Sequence, residues 1–462
     1  MSLIIHKKIY QYLLVDYCAA LISWICFFIF RKDFIEQSAY SLVSVFQDKN
    51  FIIGILLLPI CWTIFYYLCN SYTSLIKKSR LLEIYKTILH TFFGSIILFF
   101  GLLLDDAIRN YTDYYHLFLF FYFLQLTVTL SFRLVVLNGI KNKIRNGQLF
   151  VPTLLVGTEE NCLKIEHEIK SAQIYLPNKI TEKYLLNPSL TYESLIQSIS
   201  SSTTNYEDVI LAIHSDNADW LDKLIIYFLQ QQKTIQLLPN DLDILAGKFK
   251  TQSIFGSQLI EIPTELMTPW QQHSKRFVDI ILACLGLFIL APIYLFIALK
   301  VKATSKGSVF YKQERIGLNG KAFEIVKFRT MVEHAETDTP QLSSDHDERI
   351  TTFGRTMRKY RLDELPQLWN VLNGDMSLVG PRPERQYFIQ QIIKTAPQYQ
   401  LLHRIKPGIT SLGMVKFGYA SNLSQMLQRM RYDLLYLENI SLIIDIKILI
   451  YTIITLWKGK GK

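Results

Sequence analysis

The sequence predicts a membrane protein in three parts: an α-helical transmembrane bundle, an α/β soluble domain, and a mostly α third domain with a re-entrant membrane helix. Three observations carry this prediction. Four apolar runs in the first third of the chain reach spanning length. Short β-rich runs alternate with helical patterns over 150–265. A fifth apolar run, basic on both flanks, is interrupted by proline. The parts are placed at 1–145, 146–268 and 269–462, because 462 residues are too many for one core.

Composition agrees with a chain that is part membrane and part water-soluble. Half of the residues are apolar and the mean hydropathy is +0.20. The 49 Lys and Arg exceed the 39 Asp and Glu, a net charge of +10. Such a balance favours anionic partners. With this hydropathy those are membrane lipid head groups or nucleotides, and no nucleic acid. The six cysteines include no C-x-x-C, so no zinc or redox site can be argued from them. They read as small apolar fillers.

The four spans fall at 9–30, 51–72, 84–104 and 114–137, each near the ~20 residues that cross a hydrocarbon core. The first has no small-residue cleavage site after it and reads as an anchor. Lys7 and Lys8 precede it. Lys77, Lys78 and Arg80 lie between the second and third, and Lys141, Lys143 and Arg145 follow the fourth. The other two loops are balanced or acidic (Asp33, Glu36, Asp48; Asp105, Asp106, Asp113). The positive-inside rule then puts the N-terminus, and all that follows the fourth span, in the cytoplasm. Asp16 and Arg133 stand inside apolar runs. Each is either a functional intramembrane charge or a group packed between helices or near a membrane face.

In the middle part, 150–156 is β-rich and ends in Gly157, and a helical pattern covers 159–170. Further strands are expected at 209–213 and 235–238, with a helix around 220–231 between them. Strands alternating with helices argue a parallel α/β unit. The first turn, Gly157-Thr158-Glu159-Glu160-Asn161, lacks G-x-G-x-x-G, which argues against a dinucleotide site.

The fifth apolar run, 277–299, contains Pro292. Lys275 and Arg276 precede it, and Lys300, Lys302 and Lys306 follow. A simple span would leave one basic flank outside, and Pro292 breaks or kinks a helix. A re-entrant helix over about 276–300, bent at Ala291-Pro292, satisfies both facts. The alternative is a plain span, with the rest of the chain outside the cell. The end of the chain, 440–457, is apolar but broken by Asp445 and Lys447, and closes with Lys-Gly-Lys-Gly-Lys. It reads as a helix lying in the membrane interface, or else as a buried helix of the third domain.

Chemistry concentrates in the third part. Arg358-Lys359-Tyr360-Arg361-Leu362-Asp363-Glu364-Leu365-Pro366-Gln367 puts two adjacent carboxylates within five residues of three cations. Adjacent side chains of a helix diverge by about 100°. Asp363 and Glu364 are therefore better suited to separate roles than to one shared proton: one attacks, the other holds a divalent metal. A helix starting after Pro366 adds positive potential. Arg358 and Arg361 are expected to favour ionised Asp363 and to bind phosphate oxygens. Taken alone, such a pair is an ordinary salt-bridged surface. A strand-like run at 323–330 adds Lys327 and Arg329. Pro381-Arg382-Pro383 fixes the backbone on both sides of an arginine, pre-ordering it for a planar anion.

These segments stand in order with Lys275-Arg276-Phe277-Val278-Asp279, Lys327-Phe328-Arg329-Thr330-Met331, 374–383 and Lys406-Pro407-Gly408-Ile409-Thr410. Tyr436-Leu437-Glu438-Asn439, with Leu442 and Asp445, completes the set. Residues from about 273 to 462 thereby resemble the bacterial sugar transferase family, the polyprenyl-phosphate hexose-1-phosphate transferases. Four N-terminal helices and a Rossmann-like domain resemble its large members, whose catalytic domain is monotopic.

The resemblance implies transfer of a sugar-1-phosphate from a UDP-sugar to undecaprenyl phosphate, with release of UMP. It implies Asp363 as the nucleophile, forming a covalent phospho-sugar intermediate, and Glu364 as the Mg²⁺ ligand beside it in the same candidate metal pair. Arg358 and Lys327 fall on family motif positions. A carboxylate nucleophile would split one hard transfer into two. The metal would neutralise the diphosphate, and the cations would hold the nucleotide in line. The implied role is the first membrane step of exopolysaccharide, capsule or O-antigen synthesis at the bacterial inner membrane. A homodimer is compatible with the sequence. Two departures stand out. Ala291-Pro292 replaces the family's frequent Ser-Pro, so another group must satisfy the freed backbone. The 411–418 segment reads S-L-G-M-V-K-F-G, without the usual Gln and Arg, which leaves the sugar unassigned. The rival reading is a degenerate transferase acting in polysaccharide assembly or regulation. Asp363, Glu364, Arg358 and Arg382 together argue against it. A transporter is disfavoured by the lack of a polar intramembrane pathway.

Overall fold

A computed structural model describes residues 2–36, 45–73, 75–103, 111–171, 177–187, 190–213, 218–238, 259–262, 266–304, 307–332 and 347–457. Asp105, Asp106, Lys306 and the terminal lysines lie outside the described residues, as do the side chains of Lys7 and Glu36.

The first four helices are α1 (Ser2–Glu36), α2 (Lys49–Leu68), α3 (Arg80–Leu103) and α4 (Tyr111–Arg145). Among the described residues, these four are long and apolar enough to cross a membrane. Their inner faces meet in an aromatic core of Trp24, Phe27, Phe28, Phe51, Trp62, Tyr66 and Phe121. A Cβ at Gly54 would sit 2.1 Å from the Trp24 ring, so only glycine lets α1 and α2 close there. The outward face of α2 shows Ile53, Leu56 and Ile60, a surface suited to hydrocarbon.

Asp16 and Arg133 are both fully buried and paired. Arg133 Nε and Nη2 donate to the two Asp16 oxygens at 2.8 and 2.7 Å. Its Nη1 donates to Glu83 at 3.2 Å and to Thr87 at 3.1 Å, and the guanidinium lies 4.2 Å from the Tyr66 ring centroid. Lys78 completes the set, 2.9 Å from Glu83. Two acids and two bases thus form a closed, neutral cluster that joins α1, α3, α4 and the α2–α3 loop. This is the packed alternative for Asp16 and Arg133.

The middle part comprises β1 (Val151–Gly157), α5 (Glu159–Ser171), β2 (Asn178–Leu185), α6 (Tyr192–Ser201), β3 (Asp208–Ala212), α7 (Ala218–Gln230), β4 (Thr234–Leu237) and β5 (Ile260–Ile262). The sheet order is β2-β1-β3-β4-β5, parallel except for β5. Side chains alternate across the sheet. Leu154, Val156 and Val209 therefore meet α6 and α7, whereas Leu155 and Ile210 meet α5. The bundle is tied to this sheet by Lys77, which pairs with Asp208 at 2.8 Å and Glu261 at 3.4 Å.

The third part opens with α8 (Pro269–Ile289) and α9 (Ala291–Thr304), bent by 61°. The break falls at Leu290, one residue before the expected Ala291-Pro292. Pro292 is the second residue of the new helix, where its missing N–H has no intrahelical partner to lose. The expected need for another group to satisfy the freed backbone therefore disappears.

Then follow β6 (Phe310–Ile316), β7 (Ala322–Phe328), α10 (Thr352–Lys359), a 3₁₀ turn (Leu362–Glu364), α11 (Gln367–Asn373), β8 (Ser377–Val379) and α12 (Gln386–Thr395). A 3₁₀ segment (Pro397–Arg404), β9 (Gly408–Thr410), α13 (Leu412–Lys416), α14 (Leu423–Glu438) and α15 (Leu442–Trp457) complete the chain. Strands β6 and β7 form an antiparallel hairpin, and β8 pairs in parallel with β9. Leu401 packs on the middle domain's core, and Gln230 of α7 hydrogen-bonds Gln400.

Candidate functional site

Several motif residues are scaffold. Arg276 of α8 donates to the Val371 and Leu372 carbonyls at 2.6 and 2.9 Å, capping the C-terminus of α11. Asp279, one turn on, accepts from Ser377 Oγ at 2.8 Å and Leu378 N at 3.1 Å. Lys275 reaches Asp445 of α15 at 2.5 Å, and Tyr436 donates to the same carboxylate at 2.6 Å. Three sequence-distant motifs thereby hold α8, β8 and α15 around α11. Gly408 lies so close to Gly380 that a Cβ there would be 2.1 Å from its nitrogen.

The carboxylates stand just before α11. Arg361, the residue before the 3₁₀ turn, is left-handed with φ of 53°, unusual for a non-glycine. The chain reverses there after α10 and offers Asp363 and Glu364 inward, 8% and 7% exposed. Tyr294 of α9 donates to the Leu365 carbonyl at 2.6 Å, so the bent helix pair braces the turn directly.

Three cations converge on Glu364: Arg382 at 3.2 Å, Arg361 at 3.3 Å and Lys327 at 3.5 Å. Lys327 is aimed by a residue that sequence reasoning missed. Asn370 of α11 donates to the Glu324 carbonyl at 2.7 Å and accepts from Val326 N at 3.1 Å, stitching helix to strand. Arg382 is positioned by its rigid loop. The Pro381 carbonyl accepts from Gly408, and the Pro383 carbonyl accepts from Arg315 at 3.3 Å. Glu384 pairs with Arg315 and Arg429. Met414, in the segment that departs from the family pattern, puts its sulfur 3.6 Å from Arg382.

Two expected residues also bond to neighbouring hydroxyls. Arg329 donates to Ser308 at 3.0 Å, and Arg358 donates through Nε to Thr330 at 3.0 Å. Of the two arginines expected to favour ionised Asp363, Arg358 acts in that direction. Burial and the neighbouring Glu364 raise the Asp363 pKa, and the opposing charges of Lys327, Arg358 and Arg382 do not cancel the rise. Arg361 pairs with Glu364 instead. Burial also works against ionised Glu364, but Arg382, Lys327 and Arg361 outweigh it and hold Glu364 well below the usual carboxylate range. Burial lowers Lys327 to about 8. The two adjacent carboxyls are thus driven apart, the arrangement that supports two different roles.

Among the described residues, no group of three or more His, Cys, Asp or Glu is gathered to hold a metal. The donors at the turn are Asp363 and Glu364. That set fits Mg²⁺, which is usually bound by one or two carboxylates together with substrate phosphates and water.

Asp433 of α14 also escaped sequence reasoning. Buried, it accepts from Gly413 N at 2.8 Å and is hydrogen-bonded by the Arg382 backbone N–H, bracing both loops beside Glu364. Burial pushes its pKa from 3.8 up to about 6. The folded chain therefore keeps a proton that the unfolded chain releases between about pH 4 and 6. Stabilisation from this group is complete below pH 4 and is lost as pH rises through 6. Relative to Asp433→Asn, the wild type is expected to lose on the order of 2–3 kcal/mol of stability between pH 4 and pH 7. Unfolding curves that stay parallel across this range would remove Asp433 as the titrating group.

Residues 270–459 match the model of the bacterial sugar transferase family. Similar proteins include the UDP-N-acetylgalactosamine-undecaprenyl-phosphate N-acetylgalactosaminephosphotransferase of Aeromonas hydrophila, 36% identical over 219 residues, 47% of this chain and 51% of that one. The UDP-glucose:undecaprenyl-phosphate glucose-1-phosphate transferase of Klebsiella pneumoniae is 33% identical over 247 residues, 53% of each chain. This chain spans about half the length of those two relatives. It covers 99% of the exopolysaccharide production protein ExoY of Sinorhizobium fredii, at 33% identity over 229 residues and 46% of this chain. With a domain-length match to that relative and the family's motifs gathered around one buried turn, the chain belongs to the bacterial sugar transferase family.

Proposed function

We propose that this protein transfers a hexose-1-phosphate from a UDP-sugar to undecaprenyl phosphate at the inner membrane, starting a surface-polysaccharide unit. The observation that carries the reading is the split carboxyl pair. Glu364 is fixed as an anion by three cations, and Asp363 is the more basic neighbour.

Asp363 attacks the sugar-bearing phosphorus. The bond from that phosphorus to the bridging oxygen breaks, UMP leaves with the oxygen, and an acyl phosphate joining the carboxyl to the sugar phosphate forms. A phosphate oxygen of the lipid then attacks the same phosphorus, giving the lipid diphospho-sugar and returning the carboxylate. Arg382 and Lys327 hold the donor's phosphates in line. Glu364, with Asp363 adjacent, would hold Mg²⁺, which would supply charge neutralisation for the diphosphate. The 61° bend, the basic flanks and a second leg too short to span alone favour a re-entrant helix; α9, at 14 residues, is about 21 Å long against a ~30 Å core. Contacts between the middle domain and Gln400–Leu401 favour both lying on one face, the cytoplasmic one by the basic-loop rule. We take the middle domain as Rossmann-like from its parallel strands.

The test is UMP release from a panel of UDP-sugars by the purified full chain with Mg²⁺ and undecaprenyl phosphate. Release with one or a few sugars, dependent on the lipid and abolished by EDTA, is expected. Silence across the panel would overturn the reading. Release that persists in excess EDTA would remove Glu364 from its metal role.

A further inference from the structure

Beside the carboxylate turn lies a cavity of about 120 Å³ between α11, α13 and α15. Arg361 and Glu364 stand at one end. Leu365, Leu368, Ile409 and Val415 supply apolar walls, and α15 closes the far side with Thr452, Thr455 and Leu456. The threonine hydroxyls are already engaged. Thr452 donates to the Ile448 carbonyl at 2.7 Å and Thr455 to the Tyr451 carbonyl at 2.8 Å. Thr410 meets the Thr452 hydroxyl at 2.7 Å. Their methyl groups therefore complete an apolar wall.

A hexose would leave its hydroxyls without partners in this cavity, a large penalty per group. Hydrocarbon fits it. An apolar cavity of about 150 Å³ takes benzene, so 120 Å³ admits the five carbons of an isoprene unit. The outer face of α15 shows Ile446, Ile450 and Ile453, 57%, 52% and 63% exposed. The cavity thus sits between charged groups and a helix whose far face suits hydrocarbon. An occupant with a polar head at Arg361 and hydrocarbon behind it matches both ends.

We propose that this cavity seats the first isoprene unit of the polyprenyl phosphate acceptor, with Arg361 holding the acceptor's phosphate. The inference rests on the transferase reading and gives the second half-reaction its own site. The phosphate oxygen is presented to the phosphorus carried by Asp363, and the carboxylate leaves as the new P–O bond forms. Membrane-embedded hydrocarbon and reacting phosphate are then ordered by one pocket.

Two measurements test this, both on the full chain. The first uses a polyprenyl monophosphate with a diazirine in its first isoprene unit. Photolysis is expected to label 365–368, 409–415 or 452–456; labelling confined to other segments would overturn the proposal. The second uses Val415→Phe, which fills the cavity. Its KM for undecaprenyl phosphate is expected to rise about tenfold or more. Exchange of labelled UMP into UDP-sugar, which needs no acceptor, is expected to persist and reports that the variant is folded. An unchanged KM with intact exchange would overturn the cavity's assignment. Absence of exchange in the wild type would instead count against the covalent transferase reading. If Val415→Phe loses exchange, Leu456→Phe, on the opposite wall, is judged by the same two readouts.

Discussion

Asp363→Asn is expected to lower transfer by about 10⁴-fold or more, because it removes the attacking oxygen's charge and not a binding contact. Its effect on stability is expected to have the opposite sign. Burial and Glu364 both disfavour ionised Asp363, so an uncharged side chain of the same shape relieves a penalty. The melting temperature of Asp363→Asn should equal or exceed that of the wild type. Glu364→Gln should instead melt lower, since it leaves Lys327, Arg361 and Arg382 facing one another without their anion. Two adjacent acids would thus be separated by the direction of their melting shifts. A drop for Asp363→Asn as large as that for Glu364→Gln would show that Asp363 is a structural anion.

Arg133→Met is expected to destabilise the helical bundle by about 3–5 kcal/mol, because it strands Asp16 and one Glu83 contact in a fully buried place. Asp16→Leu alone should be harmful for the converse reason. The double variant should recover a substantial part, since no unpaired charge remains between α1 and α4. A double-mutant cycle on the purified protein in nanodiscs measures this, with an expected coupling of about 1–3 kcal/mol. Strict additivity would mean that water or another group already solvates the pair.

The four long apolar helices were legible because each is a long apolar run; the structure extends the first and fourth by polar turns at both ends and the third at its start, and ends the second at Leu68, four residues before the expected 72. β1, β3 and β4 were legible as short apolar runs. β2 was not: Asn178, Lys179, Thr181, Glu182 and Lys183 make it read as a loop, and it pairs at the sheet edge where only alternate residues are covered. β5, three residues long, carries no pattern of its own. At the site, the Asp-Glu pair and the P-R-P loop announced themselves by motif. Which cation meets which carboxyl did not, because it depends on the left-handed turn at Arg361 that sets Asp363 and Glu364, and on the packing of α10 that puts Arg358 on Thr330. Asn370 and Asp433 were invisible for a similar reason. Each acts on backbone groups far away in sequence, and nothing in its own neighbourhood marks it.

The buried cluster of the bundle also sets a clock on biosynthesis. Asp16 and Arg133 are 117 residues apart. At about 5–20 residues per second, the ribosome needs roughly 6–23 s to deliver the arginine after the aspartate has been made. Over that interval the first helix carries an acid with no guanidinium to meet it, and the third helix arrives with Glu83 before the fourth exists. The first three helices therefore cannot lock into final register as they emerge. The ion-pair cluster is complete only once the fourth helix has been made, so the bundle is expected to reach its final packing last.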